Sequence, residues 1–193
     1  MPVMQREKRP ALKSRSQRSE TVRAEYRTDS YRRLFGRFAT GVAVVLSEDG
    51  DRLVGLTVNS LTSASLDPLL LLFCARNESK SAAVVLRSGR FSVNVLTAHQ
   101  ERIARHFSGS KDHGMKFDYL RGEGFAWLSR AMAVFRCRLE AVHPGNDHRI
   151  IVGRVIDMFG PQECDRPLVY HRGRYTHLEL LAEESTLVET KRP

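Results

Sequence analysis

One stretch of the chain, residues 53–81, constrains the fold more than any other. Two apolar segments, at 53–58 and 69–74, enclose residues that are rich in hydroxyl and amide side chains. The first segment has the composition of a strand, and the continuous apolar run of the second is typical of a strand buried on both faces. We therefore predict two core strands joined by a polar loop.

The polar side chains between the two strands need hydrogen-bond partners. They are Thr57, Asn59, Ser60, Thr62, Ser63 and Ser65. Buried polar groups in folded proteins almost always have such a partner. Two interpretations are open: the side chains stabilise their own turns, as Ser, Thr and Asn often do, or they bind a polar ligand.

A predicted helix start follows the second strand. Residues 82–86 contain apolar side chains at helical spacing, and either Ser79 or Ser81 in front of them is a suitable N-cap. Free N–H groups at a helix N-terminus, together with the neighbouring Lys80, can bind an anion. Two polar patches separated by one strand match the polar ring and the phosphate of flavin mononucleotide (FMN). Serines that form only turns and a helix cap would explain the same residues.

Predicted strands dominate the rest of the chain. Alternating or β-branched segments predict strands at 41–47, 91–96, 132–142, 149–159 and within 167–178, with turns at 48–51 and 144–147. Short helices are predicted at 31–38, 81–87 and 99–107, and residues 119–127 are predicted to be irregular. This pattern predicts a mainly β fold with short helices, built on an antiparallel barrel. No G-x-G-x-x-G motif follows a predicted strand, so a Rossmann domain is not indicated.

The distribution of charge suggests where the folded domain begins and ends. Of the net charge of +9, much lies between Met1 and Arg27, which contain eight basic and three acidic residues. We predict a disordered basic arm at 1–28, a domain at 29–178 and a polar tail at 179–193. A charge run is usually solvated, so nucleic-acid binding is not expected; an arm that binds nucleic acid or a partner protein is the alternative. No apolar run is long enough to span a bilayer and no secretory signal is evident, which predicts a cytoplasmic protein.

The cysteines and histidines predict neither a disulfide nor a metal site. Cys74, Cys137 and Cys164 are widely spaced and form no CxxC motif, as expected in a reducing compartment. The histidines lack metal-ligand spacing and have no cluster of cysteines or carboxylates beside them. Cys74, within an apolar strand, is predicted to be an inert core thiol.

A series of short motifs runs through the polar stretch and the chain beyond it. They are T-x-N-S at 57–60, S-x-S and Asp-Pro at 63–68, S-x-S at 79–81, RFSVNVL at 90–96, RHF at 105–107, KF at 116–117, DH at 147–148, PLVY at 167–170 and GRY at 173–175. In this order, over about residues 31–178, they resemble the flavin reductase-like, FMN-binding split-barrel family. Its members are the small reductase components of two-component flavin-dependent monooxygenases.

The resemblance implies a set of flavin contacts. The isoalloxazine ring and ribityl chain would contact Thr57, Asn59, Ser60, Ser63, Ala64 and Ser65. The phosphate would contact Ser79, Lys80 and Ser81. These positions coincide with the two polar patches that the residue types already indicate.

The resemblance also implies a role for His148, which would lie at the nicotinamide face of the flavin and is the predicted catalytic residue. It follows Asn146 and Asp147, where the family usually has glycine in place of Asn146. The residues alone favour a different interpretation, in which His148 is a histidine at a strand start that bonds to its own turn. Tyr175 is predicted near the same site, with a core tyrosine as the alternative.

The function implied by the resemblance is that of an NAD(P)H:flavin oxidoreductase. It would use NADH or NADPH to reduce FMN or FAD, form a homodimer, and supply reduced flavin to a separate monooxygenase. Two other functions are compatible with the residues. One is an oxidase with tightly bound FMN, similar to pyridoxamine phosphate oxidase, and the other is a flavin-binding or basic interaction module without turnover.

Overall fold

The structure, a computed structural model, describes residues 27–109, 115–162 and 166–178. Most of the predicted arm and all of the predicted tail at 179–193 therefore lie outside the described residues. The chain divides into two units, Met1–Phe38 and Ala39–Pro193. The domain boundaries predicted at residues 28 and 178 stay predictions.

The first unit contains one described helix, α1, at residues 27–35. Tyr31, Leu34, Phe35 and Phe38 follow the helical spacing of three and four, and the rings of Tyr31 and Phe35 stack 5.7 Å apart. All four side chains are more than half exposed. The predicted apolar helix face therefore exists, although the helix begins and ends earlier than the predicted 31–38.

The second unit is built from twelve described strands and three short helical segments. The strands are β1 (Thr40–Gly41), β2 (Ala43–Asp49), β3 (Arg52–Val58), β4 (Thr62–Leu66), β5 (Leu69–Arg76), β6 (Arg90–Val95), β7 (Tyr119–Gly122), β8 (Phe125–Leu128), β9 (Ala133–Gly145), β10 (His148–Phe159), β11 (Leu168–His171) and β12 (Arg174–His177). The helices are α2 (Lys80–Ser88), a 3-10 turn (Ala98–Gln100) and α3 (Glu101–Phe107).

All strand pairs are antiparallel and form three sheets. The large sheet has the order β3-β2-β6-β9-β10-β5-β4, a smaller one has the order β1-β11-β12, and β7 pairs with β8. Sequential strands form hairpins at β2-β3, β4-β5 and β9-β10. The predicted mainly β, antiparallel fold is confirmed, and closure of the sheet into a split barrel stays a prediction.

Strand β2 is buried on both faces, and the prediction of this role for residues 69–74 was wrong. Ala43 and Val45 of β2 belong to one core cluster, whereas Val44 and Leu46 belong to a second. In β5 the burial alternates, so that Phe73 is fully buried but Cys74 is only partly buried. Cys74 is therefore not the core thiol that its apolar neighbours predicted.

Two further predictions from the sequence were wrong. Residues 62–66, predicted as loop, form strand β4, which pairs with β5 and ends at the turn with the cis Asp67–Pro68 bond. Residues 119–127, predicted to be irregular, form most of the β7-β8 hairpin. Its turn contains Glu123 and Gly124, both at positive φ. Turn-prone residues obscured strand patterns that are only four or five residues long.

A buried polar cluster attaches strand β8 to the large sheet. The Asn94 side-chain amide donates to the Val44 carbonyl at 3.0 Å and to Ser92 Oγ at 2.9 Å. Asn94 Oδ1 accepts from the Leu128 backbone N–H at 2.8 Å, and Ser92 Oγ donates to the Ala126 carbonyl. Both polar side chains are fully buried. These side-chain hydrogen bonds connect β6 of the large sheet to β8 of the β7-β8 sheet, two strands that are not paired through their backbones.

No helix among the described residues is long and apolar enough to cross a membrane.

Candidate flavin site

The predicted phosphate segment lies at the start of helix α2. Ser79 is the N-cap, and its Oγ accepts from the Ala82 N–H at 3.2 Å, which decides between the two serines predicted for this role. The N–H groups of Lys80 and Ser81 precede the first intrahelical hydrogen bond. The first turn contains no acidic residue, so the positive end of the helix dipole is not neutralised there.

The turn before β10 is hydrogen-bonded to the segment that leads into α2. The Asn77 backbone N–H donates to the Asp147 carbonyl at 3.1 Å, and the Asn77 side-chain amide donates to the Asn146 carbonyl at 2.7 Å. In the same region His148 lies directly opposite Arg76 in the β5-β10 register. The structure thus brings the predicted catalytic histidine next to the predicted phosphate segment.

Asn77 and Arg76 were not among the predicted site residues, although both lie in this region. Arg76 ends β5 and adds a positive charge across from His148. Asn77 forms the connection itself through its backbone and its side chain. The contact joins residues that are 69 positions apart, and no local pattern in the sequence signals it.

The His148 ring is oriented by its neighbour in the chain. His148 Nδ1 lies 2.9 Å from Asp147 Oδ1, and the histidine side chain is 39% exposed. The hydrogen bond with His148 lowers the pKa of the Asp147 carboxyl, and the positive charge of Arg76 acts in the same direction. Because the bond uses Nδ1, Nε2 is the ring nitrogen that can contact a ligand.

Three of the residues predicted to contact the flavin ring use their hydroxyls within the protein. Thr57 Oγ1 donates to the Ala104 carbonyl at 2.7 Å. Ser60 Oγ accepts from the Cys74 N–H at 2.9 Å, and Ser65 Oγ accepts from the Asp67 N–H at 3.2 Å. Ser65 therefore stabilises its own turn, as the alternative interpretation predicted, whereas Thr57 and Ser60 bond to distant segments of the chain.

The other three predicted ring contacts, Asn59, Ser63 and Ala64, are exposed. Ala64 is the extra residue of a β-bulge, because Ser63 pairs with Leu71 and Ser65 with Leu70. Strand β4 is the last strand in the order of the large sheet. Its outer edge presents backbone N–H and C=O groups of the kind that can pair with the polar edge of a planar ring.

The two predicted flavin segments lie along the same strand. Ser60 bonds to Cys74, and Arg76 follows two residues later at the end of β5. The exposed part of β4 and the start of α2 therefore flank β5. This arrangement suits a ligand with a ring at the β4 edge and a phosphate at the helix start. Arg76 and Lys80 carry the charge that a phosphate requires, and the exposed Glu78 between them carries the opposite charge.

A pocket of about 320 Å³ adjoins the polar stretch and contains Tyr175. Thr57, Asn59, Arg105, Ser108 and Tyr175 are among its lining residues. The guanidinium of Arg105 lies 5.0 Å from the centre of the Tyr175 ring. Burial raises the pKa of Tyr175, and a hydrogen bond with Ser108 opposes this effect. The structure thus places Tyr175 beside Thr57 and Asn59, in a pocket that His148 does not line.

Helix α3 brings Arg105 to this pocket through two contacts with β3. A Cβ atom on Gly55 would lie 2.6 Å from Phe107 Cδ1, so the absence of a side chain lets the Phe107 ring pack here. Two residues further on, Thr57 bonds to Ala104. The motif at 105–107 contributed to the family resemblance, but no local pattern predicted Arg105 and Ser108 as pocket residues.

In the described part of the chain, no three His, Cys, Asp or Glu residues cluster in a way that could hold a metal ion.

Comparison with known proteins identifies the family. Residues 35–179 match the flavin reductase like domain. The chain belongs to this family. The prediction from the motifs is confirmed, over nearly the range on which it was based.

Several curated relatives resemble the chain over most of their length. An NADH-dependent flavin reductase from Rhodococcus sp is 33% identical over 156 residues, which cover 79% of this chain and 88% of the relative. The reductase component of 4-hydroxyphenylacetate 3-monooxygenase from Thermus thermophilus is 35% identical over 150 residues, or 78% of this chain and 96% of the relative. One relative is thus named as a flavin reductase and the other as the reductase component of a monooxygenase.

Solved structures resemble the fold as well. Nitrilotriacetate monooxygenase component B from Mycobacterium thermoresistibile superimposes with a TM-score of 0.76 at 31% identity, over 81% of this chain and 89% of that one. The NADH:FAD oxidoreductase SgcE6 from Streptomyces globisporus, in complex with NAD and FAD fragments, gives 0.72 at 33% identity, over 82% and 94%.

Proposed function

We propose that this protein is an NAD(P)H:flavin oxidoreductase that reduces FMN or FAD and releases the reduced flavin to a separate monooxygenase. The observation that carries the proposal is the pair of hydrogen bonds from Asn77, which joins the start of α2 to the turn before His148. These bonds support the proposal because they join the predicted phosphate segment to the turn of the predicted catalytic histidine, in a chain of the flavin reductase family. Because the reaction consumes NADH or NADPH, we place it in the cytoplasm.

The proposed binding roles are assigned to polar and charged groups that are exposed at the surface of the fold. Lys80, Arg76 and the first N–H groups of α2 would hold the phosphate, since they combine positive charge with donors. The edge of β4 around Ser63 and Ala64, together with Asn59, would hold the ring. Thr57, Ser60 and Ser65 would hold this surface in place through their hydrogen bonds within the protein.

His148 would position the nicotinamide. Hydride transfer to a bound flavin takes place between the two nucleotides, so the protein contributes orientation and exclusion of water. Asp147 fixes the ring through Nδ1, which leaves Nε2 to contact the nicotinamide nucleotide. Arg105 and Tyr175 line a pocket next to Asn59 that can receive another part of either nucleotide.

We propose a homodimer because one face of β5 and β10 carries apolar side chains that are incompletely covered. The cross-strand pairs Leu72–Val152 and Cys74–Ile150 lie on this face and are only partly buried, and Arg154, paired with Leu70, adds a charge beside them. A second copy packed here would shield these side chains and enclose the surface beside His148. A solution mass equal to one chain, measured by sedimentation equilibrium, would contradict this part of the proposal.

The test of the proposed activity is oxidation of NADH and NADPH by the purified chain, with and without added FMN or FAD. We expect oxidation that saturates with the concentration of added flavin, because the flavin acts as a diffusible substrate. Flavin that stays bound during gel filtration without NADH consumption would instead support the tight-FMN oxidase. Absence of turnover, with salt-sensitive nucleic-acid binding that is lost on deletion of residues 1–28, would support the interaction module.

A further inference from the structure

A groove of about 880 Å³ lies between α3, the β7-β8 hairpin and the loop that leads into β9. None of the residues predicted to bind the flavin lines it. Its apolar surface is formed by large side chains, among them Ile103, Phe117, Trp127, Met132 and Phe159. The ring of Trp127 lies edge-on to that of Phe159, with their centres 5.6 Å apart. An apolar groove of this size is unusual on a surface that faces only water.

The charged residues that line the groove are mainly basic. Arg102, Lys116 and Arg130 carry positive charge, and Asp118 is the single acidic lining residue. Lys116 and Arg130 are exposed and form no ion pair with any residue in the described ranges. The surface therefore fits an occupant that combines large apolar side chains with negative charge.

The described chain ends beside this groove. His177, at the end of β12, pairs with Leu168 at the start of β11. Pro167, directly before Leu168, forms a β-bridge with Thr97, and Thr97 lines the groove. Neighbouring strands are about 4.8 Å apart, so Leu178 leaves the sheet about 10 Å from Thr97. Residues 179–193, the C-terminal segment, follow from this point. Each residue of an extended chain spans up to about 3.5 Å, so a few residues suffice to reach the groove.

The composition of the C-terminal segment matches the groove. It contains four glutamates, Glu179, Glu183, Glu184 and Glu189, against Lys191 and Arg192 at its end. Its large apolar residues are Leu180, Leu181, Leu187 and Val188. The N-terminal residues 1–27 have the opposite character, with eight basic and three acidic residues and the same sign of charge as the groove. Charge therefore selects the C-terminal segment over the N-terminal one.

We propose that the C-terminal segment binds in this groove of its own chain. Leu180 and Leu181 contact the apolar surface around Trp127, and Glu183 and Glu184 lie near Lys116 and Arg130. The segment covers the outer side of the β7-β8 hairpin. This role is independent of the flavin chemistry.

The protein contains a reporter for this contact, because Trp127 is the single tryptophan in the chain. Quenching of its fluorescence by acrylamide measures how open the groove is. The full-length chain and its L180D/L181D variant are compared at equal flavin content and protein concentration. We expect stronger quenching and an emission shift to longer wavelength in the variant, because loss of the apolar contacts exposes the indole to water.

Charge reversal tests the orientation of the segment. E183K/E184K and K116E/R130E should each increase quenching, and their combination should restore the wild-type value because the ion pairs are re-formed with opposite sign. E20K/E25K makes the same change of charge in the N-terminal residues and should leave quenching unchanged.

Three outcomes would overturn the proposal. Equal quenching in the wild type and in L180D/L181D would mean that the segment does not cover Trp127. Protection that disappears on dilution would identify a second copy as the occupant. Failure of the combined charge reversal to restore protection would remove the pairing of the glutamates with Lys116 and Arg130.

Discussion

Two polar regions of the molecule, the buried cluster of Ser92 and Asn94 and the polar stretch at 57–65, use similar side chains in opposite ways. In the cluster, both side chains are fully buried and bond to backbone groups of β2 and β8. In the stretch, Thr57 and Ser60 bond to the protein, whereas Asn59 and Ser63 are exposed. Buried polar groups must be paired within the fold, and only exposed ones are available to a ligand.

The largest effect that follows from this comparison concerns Asn94. Replacement by Leu would leave the buried Leu128 N–H without its acceptor and would detach β8 from the large sheet. We expect the free energy of unfolding to fall by about 3 kcal/mol, within the range for buried groups that lose their partners. Urea unfolding in the absence of flavin measures this loss in free energy of unfolding. Asn59→Ala is the control at an exposed position, and we expect it to lower the free energy by about 0.5 kcal/mol or less.

A second prediction separates the two serines at the start of α2. Ser81→Ala should weaken FMN binding about 10- to 150-fold, because a charge-assisted bond to the phosphate is lost, with little change in stability. Ser79→Ala should lower the free energy of unfolding by about 1 kcal/mol through loss of the cap. Titration with FMN measures the change in affinity, and urea unfolding measures the change in stability, for both variants. Unchanged FMN affinity in Ser81→Ala would contradict the assignment of this side chain to the phosphate.

The smallest effect concerns Asp147 and acid pH. The pKa of this carboxyl is lowered in the folded protein, first by its bond to His148, from an ordinary value of 3.8. The contribution of the ionised carboxylate to stability is therefore fully present above pH 3.8 and is lost as the pH falls through the lower folded value. Asp147→Asn should be less stable than wild type at neutral pH, and this difference should vanish in acid. A difference that does not change with pH would point to packing instead.

Local sequence patterns predicted much of the fold. The β-branched run of β2, the alternation in β9 and β10, and the serine cap of α2 all led to elements that the structure contains. These succeed because strand alternation and helix capping depend on residues within one turn or one strand. The predicted positions of His148 and Ser79 near one site came instead from the family resemblance.

What the sequence by itself determined is therefore most of the longer strands and helices, the family and the polar segments that could bind a ligand. Only the tertiary structure decided that β2 and not β5 is covered on both faces, and that Asn77 joins the helix start to the turn before His148. It also decided that Thr57 and Ser60 bond inward. The physical reason is that burial and hydrogen-bond partners depend on which distant segments pack together, and a strand's own residues do not specify what covers its second face.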